Sequence, residues 1–104
     1  MRLPLVRRSR RAPNRDPSEA SISESLRALR LGGRLSLARG PGALTEHYIQ
    51  VIRAADAYLV DIRDGSADQH FQTALPEVTD VERVWFAWMR RSEEWRSLAQ
   101  WDRY

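Results

Sequence analysis

The hydrophobic period of this chain changes at Leu75-Pro76, and that change limits the fold more than any other feature. From about His47 to Leu75 apolar and polar residues alternate, the period of a half-buried strand. From Thr79 to about Gln100 apolar residues recur at three- and four-residue steps, the period of an amphipathic helix. All four tryptophans lie beyond the switch. The pattern predicts an α+β fold: a three- to four-stranded antiparallel sheet with a Trp-rich C-terminal helix packed on one face. Residues 43–104 read as this βββα domain, and residues 1–42 as a basic N-terminal extension.

Three strands are expected at Tyr48–Arg53, Ala57–Arg63 and Gln69–Leu75, with Asp64-Gly65 as a tight turn and Pro76 as a stop. Their short connections favour an antiparallel meander. Alternation then divides the side chains. Tyr48, Ile52, Tyr58, Val60, Ile62, Phe71 and Leu75 form the expected core face, with Gln50 and Thr73 as exceptions. His47, Ile49, Val51, Arg53, Leu59, Asp61, Arg63, His70, Gln72 and Ala74 form a mixed second face, suited to water, a second layer or a partner.

Thr79-Asp80-Val81-Glu82 has the spacing of a capping box. The helix it would open presents Val81, Val84, Trp85, Trp88 and Met89 on one side. Arg90-Arg91 followed by Ser92-Glu93-Glu94 marks a place where that helix either breaks and restarts or runs on to Gln100. Buried aromatics are expected to dominate a core this small, since each removes roughly 150–250 Å² from water. Trp95 or Trp101 is the better candidate for an exposed anchor.

Charge divides the chain. Residues 1–40 hold ten arginines against three acids, net +7, and residues 41–104 seven against eleven, net −4. A basic chain points towards nucleic acid, and here that inference attaches only to the extension, through Arg7, Arg8, Arg10, Arg11 and Arg15. All 17 basic residues are arginine, which codon composition explains as well as function does. The first fifteen residues read as disordered, with Pro4 and Pro13 and no apolar period. Asp16-Pro17-Ser18-Glu19 reads as a helix start, and Ile22, Leu26 and Leu29 as one stripe of a helix over 17–31 that Gly32-Gly33 stops. Residues 34–39 alternate weakly, as a short strand would. The basic start carries no apolar stretch for a signal peptide, and no run reaches the roughly 18–20 apolar residues of a membrane span. A cytoplasmic protein with no membrane role is the expectation.

Recognisable chemistry is sparse. There is no cysteine, which excludes disulfides, thiolate zinc sites and cysteine nucleophiles together. His47 and His70 on the first and third of these strands would lie about 10 Å apart, too far to share an ion. Asp61, Asp64 and Asp68 lack the spacing of a calcium loop. No glycine loop has a phosphate-binding pattern. Asp61 with His70 is the one imaginable orienter–base pair, and cross-strand polar pairs of this kind are routine on open sheet faces. No catalytic residue, metal or cofactor is expected, and no enzyme.

The run Tyr58-Leu59-Val60-Asp61-Ile62-Arg63-Asp64-Gly65-Ser66, then His70-Phe71-Gln72-Thr73, Val81–Trp88 and Trp95-Arg96-Ser97, resembles small uncharacterised proteins of actinobacteria. Some of these are similar to immunity proteins of polymorphic toxin systems. The resemblance covers about residues 46–103 and implies a cytoplasmic binding protein that masks a toxin; the acidic half would suit a basic nuclease. The expected role is thus non-enzymatic binding of a protein partner through Arg53, Asp61, Arg63, His70 and Gln72. The rival is a nucleic-acid-binding accessory protein using the arginine tail. Exposed edge strands also make a homodimer feasible.

Overall fold

The computed structural model describes residues 17–39 and 46–103. Helix α1 (Glu19–Arg27) is followed by strands β1 (Arg34–Ala38), β2 (His47–Arg53) and β3 (Tyr58–Asp64). A short 3-10 turn at Ala67–Gln69 leads into β4 (His70–Leu75). Helix α2 (Val78–Met89), a 3-10 segment at Glu93–Ser97 and the two-residue strand β5 (Asp102–Arg103) complete the chain. The strands form one antiparallel sheet in the order β1-β2-β3-β4-β5. The α+β antiparallel expectation holds, with five strands rather than three or four.

Four residues, 54–57, separate β2 from β3, so odd positions on β2 face even positions on β3. Val51 lies opposite Val60 and Ile49 opposite Ile62. This reverses the face expected for β2. Ile49 and Val51 are fully buried beside Val60 and Ile62, whereas Tyr48, Gln50 and Ile52 look the other way. The assignments for β3 and β4 stand: Tyr58, Val60, Ile62, Phe71 and Leu75 all contribute to the helix-covered core.

Both helices cover that one face. Ile22 and Leu26 of α1 are buried with Val81, Val84, Trp85, Ala87 and Trp88 of α2. Each buried indole is worth about 4–6 kcal/mol of burial before entropy is counted, so α2 anchors the layer. Trp95 is also buried, edge-on to Phe71 at 5.7 Å and to Trp101 at 5.2 Å. The half-buried Trp101 donates its indole N–H to the Trp95 carbonyl at 3.1 Å. Neither indole is the exposed anchor that the sequence suggested. The Thr73 hydroxyl donates to the Gln100 carbonyl at 2.7 Å and fastens the C-terminal segment under the sheet.

The helix boundaries also differ. Ser18 caps α1, its hydroxyl accepting from the Ser21 N–H at 3.0 Å, and the helix ends at Arg27 rather than near residue 31. Gly33 follows at a close approach, where an added Cβ would stand 2.8 Å from the Arg30 carbonyl oxygen. The Thr79–Glu82 capping box does not form. The helix starts at Val78, and Glu82 turns inward to accept from Ser23 and, at 3.0 and 2.8 Å, from Arg27. At the other end Arg90 grips Glu19 with two 2.9 Å bonds. Two reciprocal ion pairs therefore tie antiparallel helices at both ends, each acid near a helix N-terminus and each base near a C-terminus. The helix breaks after Met89. Arg91 takes a left-handed conformation (φ 61°), with Arg91 N–H bonded to the Trp88 carbonyl and Ser92 N–H to the Ala87 carbonyl. That is a Schellman stop with arginine where glycine is usual.

α1 and β1 belong to the same core as the rest. A domain boundary at residue 42 would remove Ile22, Leu26 and a whole strand from it. The tail arginines Arg7, Arg8, Arg10, Arg11 and Arg15 lie outside the described residues.

Candidate functional site

The sheet face turned away from the helices is organised in three rows, each crossing β1 to β4 through cross-strand partners. The first runs Arg34, Ile52, Leu59, Ala74. The second runs Ser36, Gln50, Asp61, Gln72, and Asp102 of β5 extends it. The third runs Ala38, Tyr48, Arg63, His70. Strand pleating places these side chains together, since alternate residues share a face and neighbouring strands lie about 4.8 Å apart.

The rows differ in chemistry. The first is an apolar strip with a cation at its β1 end, and Leu59 is one of two large apolar side chains exposed among the described residues. Neither Ile52 nor Leu59 packs against the core. The second row carries amide, hydroxyl and carboxylate groups, with the Ser36 hydroxyl 3.5 Å from the side-chain oxygen Oε1 of Gln50.

The third row is a locked knot. Arg63 pairs with Glu46 (Nη1 to Oε2, 2.9 Å) and donates from Nε to Nδ1 of His70 at 3.3 Å. Its guanidinium lies 5.9 Å from the Tyr48 ring centre, and Tyr48 meets His70 edge-on at 5.8 Å. The hydrogen bond to Glu46 is the main reason that the Arg63 guanidinium sits above its ordinary pKa. His70 is buried.

Of the five residues expected to contact a partner, Asp61, Arg63, His70 and Gln72 share this face. Arg53 does not. It lies on the helix side, where its guanidinium donates to the Leu29 carbonyl at 2.6 Å and sits 5.7 Å from the Tyr58 ring. Its role is to hold the end of α1 on the sheet. Tyr48, Gln50 and Ile52 join the face instead. The parity of the four-residue connection was the signal in the sequence that could have found them.

Asp61 and His70 are not direct cross-strand partners: Asp61 faces Gln72, and His70 faces Arg63. His47 and His70 fall on opposite faces of the sheet. Among the described residues no three His, Asp or Glu side chains come together to hold a metal, and none of the helices is long and apolar enough to cross a membrane. A shallow concavity of about 320 Å³ lies on the outer side of α2, lined by Arg83, Phe86, Arg90, Glu94 and Leu98. Its Arg90 is committed to Glu19. At the far end of β1, Arg39 lies 4.0 Å above the Trp88 ring. Burial there, and then the neighbouring Arg91 charge, pull its guanidinium below the ordinary value.

Comparison of the chain with protein-family models, curated proteins and solved structures found no match.

Proposed function

We propose that this protein is a small non-enzymatic binding module that docks a protein partner on the open sheet face, and that within this class it is an immunity-like protein masking a toxin. The observation that carries the reading is the three-row face: a flat strip of Ile52, Leu59 and Ala74 beside a row of hydrogen-bonding groups and a pre-ordered Tyr48–Arg63–His70 knot. A flat surface with an apolar strip and fixed polar groups has the anatomy of a protein interface. Pre-ordering the knot lowers the entropy lost on binding. The full chain is formally +3, but the described residues carry eleven arginines against thirteen acids, so a basic partner is favoured by this part of the chain alone.

The test is capture by the full chain and by Leu59→Arg from lysate of the source cells. The reading expects a stoichiometric protein retained by the wild type and lost with Leu59→Arg. Co-purification with the product of a neighbouring toxin gene supports the immunity-like version. Equal capture by both chains would remove the open face from the account.

The charge of residues 1–16, six arginines against one acid, favours a second reading as a nucleic-acid-binding accessory protein. That reading expects salt-sensitive capture of nucleic acid alone, abolished by removing residues 1–15. This shorter deletion leaves α1 and β1 in place.

A further inference from the structure

We propose that β1 is a self-pairing edge and that two copies of this chain join through it into one continuous sheet. Among the described residues β1 is the outermost strand on its side. The Arg39 N–H bonds the His47 carbonyl and the Arg53 N–H bonds the Gly33 carbonyl, each at 2.9 Å. Odd-numbered residues of this stretch therefore face β2 with their backbone groups. By the alternation of an antiparallel ladder, the N–H and C=O groups of Arg34, Ser36 and Ala38 point outward. Their side chains are exposed, and those of Leu35 and Leu37 are half-buried on the helix side. The opposite edge ends in a strand of only two residues, β5.

The strand is complementary to itself. A two-fold axis through Ser36 sets Ser36 against Ser36 and Arg34 against Ala38 of the second copy, with about six outward backbone bonds formed. It also brings Leu35 against Leu37 at the closely spaced, non-hydrogen-bonded positions, where side chains meet best. In this register the strand's one cation never faces its own copy. Arg34 lies across the small Ala38, with Tyr48 of the second copy next in the row, two strand spacings or about 10 Å away. Charge, size and hydrogen bonding thus agree in one register. Five residues a side bury well under the roughly 1,600 Å² of a standard interface, so the dimer is weak and reversible. It goes beyond the binding role proposed above and leaves the open face clear. Two copies of that face would lie side by side on the same surface of a doubled sheet.

The experiment is sedimentation equilibrium of the full chain over a concentration series, with Ser36→Lys and Ser36→Pro alongside. Ser36→Lys opposes two ammonium groups at the axis from an exposed site. Ser36→Pro removes an N–H that points away from β2 and that no other described strand pairs with. Circular dichroism melting confirms that each variant is folded, and the lysine variant stands alone if the proline variant is not. The expected result is a wild type passing from monomer to dimer with concentration, with both variants monomeric throughout. A wild type that stays monomeric overturns the proposal, including the case where a protected Ser36 amide shows the edge covered by the chain's own residues. A dimer that persists in the variants also overturns it. Neither result bears on capture through Leu59.

Discussion

Arg27, at the end of α1, grips Glu82 in α2 with both prongs of its guanidinium, Nη2 2.8 Å from Oε1 and Nε 3.0 Å from Oε2. The two partners are not equivalent: the arginine side chain is 53% exposed and the carboxylate 11%. Removing the arginine leaves a buried anion behind, whereas removing the carboxylate lets the arginine return to water. Arg27→Ala should therefore cost about 2 kcal/mol and Glu82→Leu under about 1 kcal/mol. Urea unfolding at neutral pH measures both, and the ordering is the decisive part.

The same pair sets an acid limb. Burial alone pushes the Glu82 carboxyl up, but the hydrogen bonds from Ser23 and Arg27 and the Arg27 charge outweigh it and hold Glu82 below its ordinary 4.5. A carboxyl depressed in the folded state contributes stability that is fully present above its unfolded value and lost as pH falls through the folded one. In Arg27→Ala burial is opposed only by Ser23, so that limb should flatten or reverse. Unfolding free energies of wild type and variant across the acid range give the difference directly.

Arg91 occupies a left-handed position that glycine fills without strain. Arg91→Gly should raise stability by about 0.5–1 kcal/mol, seen as a higher melting temperature. A loss of stability would mean that the arginine side chain makes contacts worth more than the strain.

Arg96 is packed as well as paired. Its guanidinium lies 4.4 Å from the Trp95 ring centre and 5.1 Å from that of Phe71, and it binds both Asp64 and Glu93. Arg96→Ala should cost about 1–2 kcal/mol and keep most of that cost in high salt. Arg83, 3.9 Å from Asp80 and largely exposed, should cost under about 0.5 kcal/mol on the same substitution.

Three of the four indoles are buried, and those of Trp85 and Trp88 have no hydrogen-bond acceptor for their N–H among the described residues. Native tryptophan emission should be blue-shifted and poorly quenched by acrylamide, and unfolding should reverse both. Red, freely quenched emission from the native protein would contradict the packing of α2 on the sheet.

Strands β2 to β4 and helix α2 were legible in the sequence because each carries a clean period. The phase of β2 was not. Tyr48 and Ile52 on one parity competed with Ile49 and Val51 on the other, and only the register with β3 decides between them. Glu82 was misread for a related reason: it sits three residues after Thr79, yet it also lies on the buried stripe between Val78 and Trp85. Its partner is 55 residues away, and no local pattern announces that. The open face was half legible. Asp61, Arg63, His70 and Gln72 followed from β3 and β4, while Arg53 went astray with β2.

The reciprocal clamps between α1 and α2 join segments 55 and 71 residues apart. During synthesis α1 leaves the ribosome before α2, which supplies part of the surface that receives it. Until then a short amphipathic segment with Ile22 and Leu26 has nowhere to settle. Nascent chains arrested before α2 should thus expose that stripe to chaperones, and closure waits for α2 to emerge.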